Sequence, residues 1–145
     1  MGKFRFKFDN IARIKETMKK KILRDISLID NKILKYQEEI KKLKESFEEE
    51  KNFYFEKHSK AEEIQTLERH EIFIKKKINS FENEIRKLKK LRTEKVNELS
   101  SLAKEEKILE LLKEKHLEKY LYEERKIEEK LFDELALRKS SRGVK

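Results

Sequence analysis

The 145 residues contain no cysteine, no proline and no tryptophan, and the only two glycines are Gly2 and Gly143. Without cysteine there can be no disulfide framework, no thiolate metal site and no thiol nucleophile. Without proline or glycine between Lys3 and Arg142, sharp helix stops and turns that need positive φ lack their usual residues. A compact domain with many short loops is hard to build from such a chain, whereas long uninterrupted helix is easy. A glycine-rich phosphate loop is excluded, and with it a P-loop nucleotidase. No stretch approaches the ~20 apolar residues of a membrane-spanning helix. The start, Met1-Gly2-Lys3-Phe4-Arg5-Phe6-Lys7-Phe8, has charge but no apolar core of the kind a secretory leader carries. Phe6 stands where N-myristoylation after Gly2 needs Ser or Thr. The expectation is a cytoplasmic protein.

Charge is abundant. Asp, Glu, Lys and Arg make up 48% of the chain and hydrophobic residues 36%, too few for a wide globular core but enough for the narrow seam of a coiled coil. The net charge is +9 and is unevenly placed. Residues 1–24 carry nine Lys/Arg against Asp9 and Glu16, and Arg138, Lys139, Arg142 and Lys145 close the chain. The long middle is nearly balanced.

A heptad stripe runs through Ile22, Ile26, Ile29, Ile33, Tyr36, Ile40, Leu43 and Phe47, with alternating steps of three and four from Ile26 onward. Upstream, Met18, Ile22 and Ile26 are four apart, which reads as a stutter, and Phe4, Phe8, Ile11 and Ile14 continue the stripe toward the N-terminus. A second stripe follows Ile64, Leu67, Ile74, Ile78, Phe81, Ile85 and Leu88, with Glu71 as a weak seam position. It continues through Leu91, Val96, Leu99, Leu102, Ile108, Leu109, Leu111, Leu112, Leu117, Leu121, Ile127, Leu131 and Leu135. Between the stripes the phase breaks at Phe53-Tyr54-Phe55, and Ser59 can cap a new helix with Glu62 at the capping-box position.

The expected fold is all-α: a single domain forming a long antiparallel two-helix coiled-coil hairpin. Helix 1 is expected at about 4–56, a turn at about 56–62, helix 2 at about 62–138 and a disordered basic tail at 139–145. One continuous helix in a parallel dimer is the competing architecture; the phase break and Ser59 favour the hairpin. Partner positions should add to about 120, which sets Phe4 opposite His116 and leaves residues 117–138 projecting as a single helix.

Nothing in the pattern points to catalysis. His58, His70 and His116 share no metal-ligand spacing and read as solvated helix histidines. Acidic pairs such as Glu105-Glu106, Glu123-Glu124 and Glu128-Glu129 have no pocket on an exposed helix to tune them. No catalytic, cofactor-binding or metal-binding residue is assigned, and no cofactor is expected. The alternation of Phe and Arg/Lys over residues 4–8 could meet nucleic acid. The competing reading, with Phe4 and Phe8 one helical turn apart in the seam, is preferred, and nucleic acid is not an expected partner. The Phe53-Tyr54-Phe55 triplet cannot all face one seam, so at least one ring points outward and could mark a protein-binding surface.

The chain resembles the flagellar export protein FliJ family. The resemblance rests on Phe4-Arg5-Phe6-Lys7-Phe8 before a long heptad helix, on Leu112-Lys113-Glu114-Lys115-His116, on Tyr122-Glu123-Glu124-Arg125-Lys126 and on Leu131-Phe132-Asp133-Glu134-Leu135-Ala136-Leu137-Arg138. It covers essentially the whole chain. It implies a coiled-coil stalk of the flagellar type III export apparatus, similar to the central stalk of rotary ATPases. Such a protein is cytoplasmic, lying peripherally at the inner face of the cell membrane at the flagellar base. Its implied partners are the hexameric export ATPase, the cytoplasmic domain of the export-gate membrane protein, and export chaperones. The implied ATPase-binding foot is Phe4, Arg5, Lys7, Arg13, Asp133, Glu134 and Arg138. The implied export-gate patch is Leu43, Phe47, Tyr54, Phe55 and Phe73. The equivalent stalk of a virulence injectisome, and a generic structural or nucleic-acid-binding coiled coil, are the alternatives.

Overall fold

The computed structural model describes residues 3–57 and 60–143, with side chains through Ser141. Two helices, α1 (Asp9–Glu56) and α2 (Ala61–Gly143), pack against each other as an all-α helical hairpin. The chain groups into two units, Lys20–Ser100 and Met1–Lys19 with Ser101–Lys145, and both helices contribute to each.

The helix ends follow from local hydrogen bonding. The first helix begins at Asp9 rather than near residue 4. The Asp9 N–H donates to the Phe6 carbonyl at 3.2 Å, and the Ala12 N–H donates to the Phe8 carbonyl at 3.0 Å, so Phe8 takes the cap position. The Asp9 carboxylate then sits in the first turn, where the helix dipole favours it. At the second helix the Lys60 carbonyl accepts from the Glu63 and Ile64 N–H groups at 3.0 and 3.2 Å, which makes Lys60 the cap position. Ser59, the expected capping residue, lies outside the described residues, as do His58 and Lys145. The second helix runs to Gly143, so residues 139–143, expected to be disordered, are helical. No residue before Gly143 breaks the run.

In the Lys20–Ser100 unit the heptad reading holds along α1. Ile22, Ile26, Ile29, Ile33 and Ile40 are buried, and Tyr36, Leu43 and Phe47 are half-buried. The core combines Ile29, Ile33, Ile40 and Ile85, with Tyr36, Ile78, Phe81 and Leu88 packed on it. Tyr36 and Phe81 meet across the seam at 5.5 Å between ring centroids. Cross-helix polar contacts match the antiparallel register: the ion pairs Asp25–Lys95 at 3.8 Å and Asp30–Arg92 at 2.6 Å, and the Glu50–His70 contact at 2.7 Å. The bond to Asp30 pushes the Arg92 guanidinium above its ordinary pKa, with the carboxylate's charge adding to it. Three expected seam residues are exposed here, Ile64, Leu91 and Val96, and Lys95 takes the half-buried position beside Asp25.

In the other unit the seam differs from the expectation. Ile11, Ile14 and Met18 were expected to line it but are 43%, 60% and 49% exposed. The half-buried positions are Phe8, Ala12, Lys15 and Lys19, which run into Ile22 at strict heptad steps, so there is no stutter. Across from them stand buried Leu102 and half-buried Glu106 and Leu109. Lys15 pairs with Glu105, and Lys19 Nζ reaches Glu106 Oε2 at 3.2 Å. Apolar periodicity cannot detect such a seam, because its spacing is carried by lysine.

This charged layer costs stability. Glu106 Oε1 is buried and accepts no hydrogen bond. Replacing both partners, Lys19→Leu with Glu106→Leu, is expected to raise the unfolding free energy by about 1 kcal/mol. Urea unfolding followed by circular dichroism measures it; a loss of stability would show that the pair is net favourable.

Candidate partner-binding sites

The N-terminal site is built on a short non-helical segment. Phe6 is 5% exposed, the only buried side chain of that segment. It packs on Phe8 and His116, each with ring centroids 5.6 Å away. The sequence expectation had Phe4 and Phe8 in a helical seam and Phe6 left over. Phe6 is the most buried of the three and Phe8 keeps a half-buried seam position, because residues 3–6 are not helical. Non-helical chain advances roughly 3.3 Å per residue against 1.5 Å in a helix. Phe4 therefore reaches Tyr120, at 5.5 Å, rather than His116. Partial burial raises the Tyr120 phenol above its ordinary pKa, and the charge and hydrogen bond of Glu124 add to it.

Burying Phe6 throws its neighbours outward. Arg5, Lys7 and Arg13 line one cleft of about 430 Å³ with Phe6, Asp9 and Asn10. Lys7 also lies over the Phe8 ring, 5.9 Å from its centroid. Asp9 is drawn toward Lys113, at 3.6 Å. Three of the residues proposed for the foot thus converge. Phe4, half-buried against Tyr120, serves the packing of the segment. Asp133, Glu134 and Arg138 lie apart from this cluster, on a stretch of α2 where every residue from 125 to 141 is exposed. Asp133 is about 20 Å along the helix from Tyr120 at 1.5 Å per residue.

The patch near the turn divides in the same way. Leu43, Phe47 and Tyr54 occupy half-buried seam positions, whereas Phe55 and Phe73 are each 59% exposed. Their heptad positions place these two rings on opposite flanks of the hairpin. Phe73 stacks on His70 at 6.4 Å, and His70 also meets the edge of Phe47 at 6.2 Å. His70 and His116, expected as solvated residues, are both ring-packed and half-buried. Phe53, 53% exposed, carries the Lys57 ammonium 4.3 Å from its centroid. The sequence reading counted Phe53 in the aromatic triplet but not in the export-gate patch, and it read His70 as solvated; the contact of His70 with Phe47 and Phe73 becomes visible only with the register.

A cleft of about 670 Å³ opens beside Phe47, Ile74 and Ile78, rimmed by Lys44, Glu48, Lys51 and Glu71. Glu71 pairs outward with Lys75 at 3.0 Å, so its side chain does not fill the seam there. Among the described residues no group of His, Asp and Glu is placed to hold a metal ion, and no helix is long and apolar enough to cross a membrane.

The family model described as flagellar FliJ protein matches residues 4–145. The chain belongs to the FliJ family. The match begins at Phe4, so it takes in both the aromatic-basic segment and the whole exposed end of α2. Family membership makes this a flagellar, export-related protein. No curated protein and no solved structure gives a match.

Proposed function

We propose that the chain is a non-enzymatic stalk of the flagellar type III export apparatus, cytoplasmic and peripheral to the inner face of the cell membrane at the flagellar base. Its unit containing the N-terminal segment and the exposed end of α2 engages the hexameric export ATPase. The side of the hairpin near its turn engages the cytoplasmic domain of the export-gate membrane protein, and export chaperones are further partners. The observation that carries this reading is the convergence of Arg5, Lys7 and Arg13 on one cleft in a chain of the FliJ family. A cationic cleft beside a projecting helix suits an acidic protein surface. The outward rings of Phe55 and Phe73 suit a second protein.

The test is the hydrolysis rate of the cognate export ATPase at moderate salt, with and without this protein. Stimulation is expected, and deleting residues 117–145 is expected to remove it. The absence of both stimulation and co-purification would overturn the assignment.

A further inference from the structure

Beyond the contact of Phe4 with Tyr120, the end of α2 carries an apolar stripe that stays exposed among the described residues. Leu117, Leu121, Leu131 and Leu135 are 38%, 47%, 53% and 52% exposed. With Glu124 and Glu128 between them, they form an unbroken heptad: 117, 121, 124, 128, 131, 135. Glu128 is exposed, and Glu124 is half-buried at the edge of the stripe, where it accepts a hydrogen bond from Tyr120. Ile127, 55% exposed, flanks the same face. Such a stripe pairs with another helix, and the two central glutamates select which helix that is. In an antiparallel pair of two copies Leu121 meets Leu131 and Leu117 meets Leu135, but Glu124 meets Glu128 at both central layers. In a parallel pair each glutamate meets itself. Either arrangement brings four carboxylates together where a seam should exclude water, so a second copy is selected against. A helix with lysine or arginine at the two central positions turns the same layers into ion pairs.

We propose that residues 117–138 form a helix-docking surface for a partner helix with two basic residues four apart, framed on both sides by apolar residues at heptad steps. The surface is distinct from the Arg5, Lys7 and Arg13 cleft, which takes acidic groups. The inference does not depend on the ATPase reading, and its test contains no ATPase.

The probe is a charge-reversed copy of the same full-length chain, Glu124→Lys with Glu128→Lys. By sedimentation equilibrium, wild type alone and variant alone are expected to remain monomeric, while a 1:1 mixture doubles in mass. A second variant, Glu124→Leu with Glu128→Leu, is expected to dimerise by itself. Deleting residues 117–145 from either chain should abolish both associations, and circular dichroism checks that each variant stays helical. Self-association of the wild type through this segment would overturn the proposed selection against a copy. A mixture and a leucine variant that both stay monomeric would overturn the docking surface itself, as would association that survives the deletion.

Discussion

Reversing Arg5, Lys7 and Arg13 to glutamate together is expected to weaken binding to the export ATPase by on the order of a thousand-fold, at about tenfold per reversed charge. The helicity of the chain should not change. Arg5 and Lys7 sit on a segment with no helical hydrogen bonds to lose, and Arg13 lies on the exposed side of α1. Phe6 and its aromatic partners, which hold the segment in place, are left intact. The loss should therefore appear in binding and not in stability. Rim charges act mainly by steering association, so the wild-type affinity should also fall as salt rises, and the variant should show little of that dependence. Titration of labelled protein into the ATPase at two salt concentrations measures both effects. Unchanged affinity in the triple variant would remove the cleft from the interface and leave the projecting helix as the alternative foot.

The largest effect on folding is expected from Ile33→Asp, which should destabilise the hairpin by on the order of 4 kcal/mol. Ile33 is 8% exposed in the core with Ile29, Ile40 and Ile85. No basic side chain is among those core residues to pair an introduced carboxylate. The control is Ile14→Asp. That side chain is 60% exposed although it continues the apolar run of α1, and its replacement should change stability by less than about 0.5 kcal/mol. Urea unfolding of the two variants separates the observed seam from the one that apolar spacing alone would draw. Comparable losses in both would put Ile14 inside the seam and Lys15 and Lys19 outside it.

Much of this molecule was legible in its residues. The absence of proline and glycine between Lys3 and Arg142, with isoleucines at alternating steps of three and four, admits little besides long helix paired along a seam. The phase break at Phe53-Tyr54-Phe55 marked where the chain reverses, and the core of the Lys20–Ser100 unit falls on the positions the heptad names. The Phe-Arg/Lys alternation and the closing Asp133-Glu134-Leu135 segment pointed to the FliJ family, whose model covers residues 4–145.

The tertiary structure alone decided three things. It turned Ile11, Ile14 and Met18 outward, because the heptad register of Ile22 carries back through Lys19, Lys15 and Ala12, and those two lysines meet Glu106 and Glu105 on α2. Apolar periodicity within one helix carries no information about the charge facing it on the other. It put Phe6 beside His116 together with Phe8, and moved Phe4 on to Tyr120, because the segment before Asp9 leaves the helix. That choice gathered Arg5, Lys7 and Arg13 on one cleft, a placement their spacing in sequence cannot give. Local spacing fixes which face of a helix is apolar; which face becomes buried depends on what the other helix brings to it.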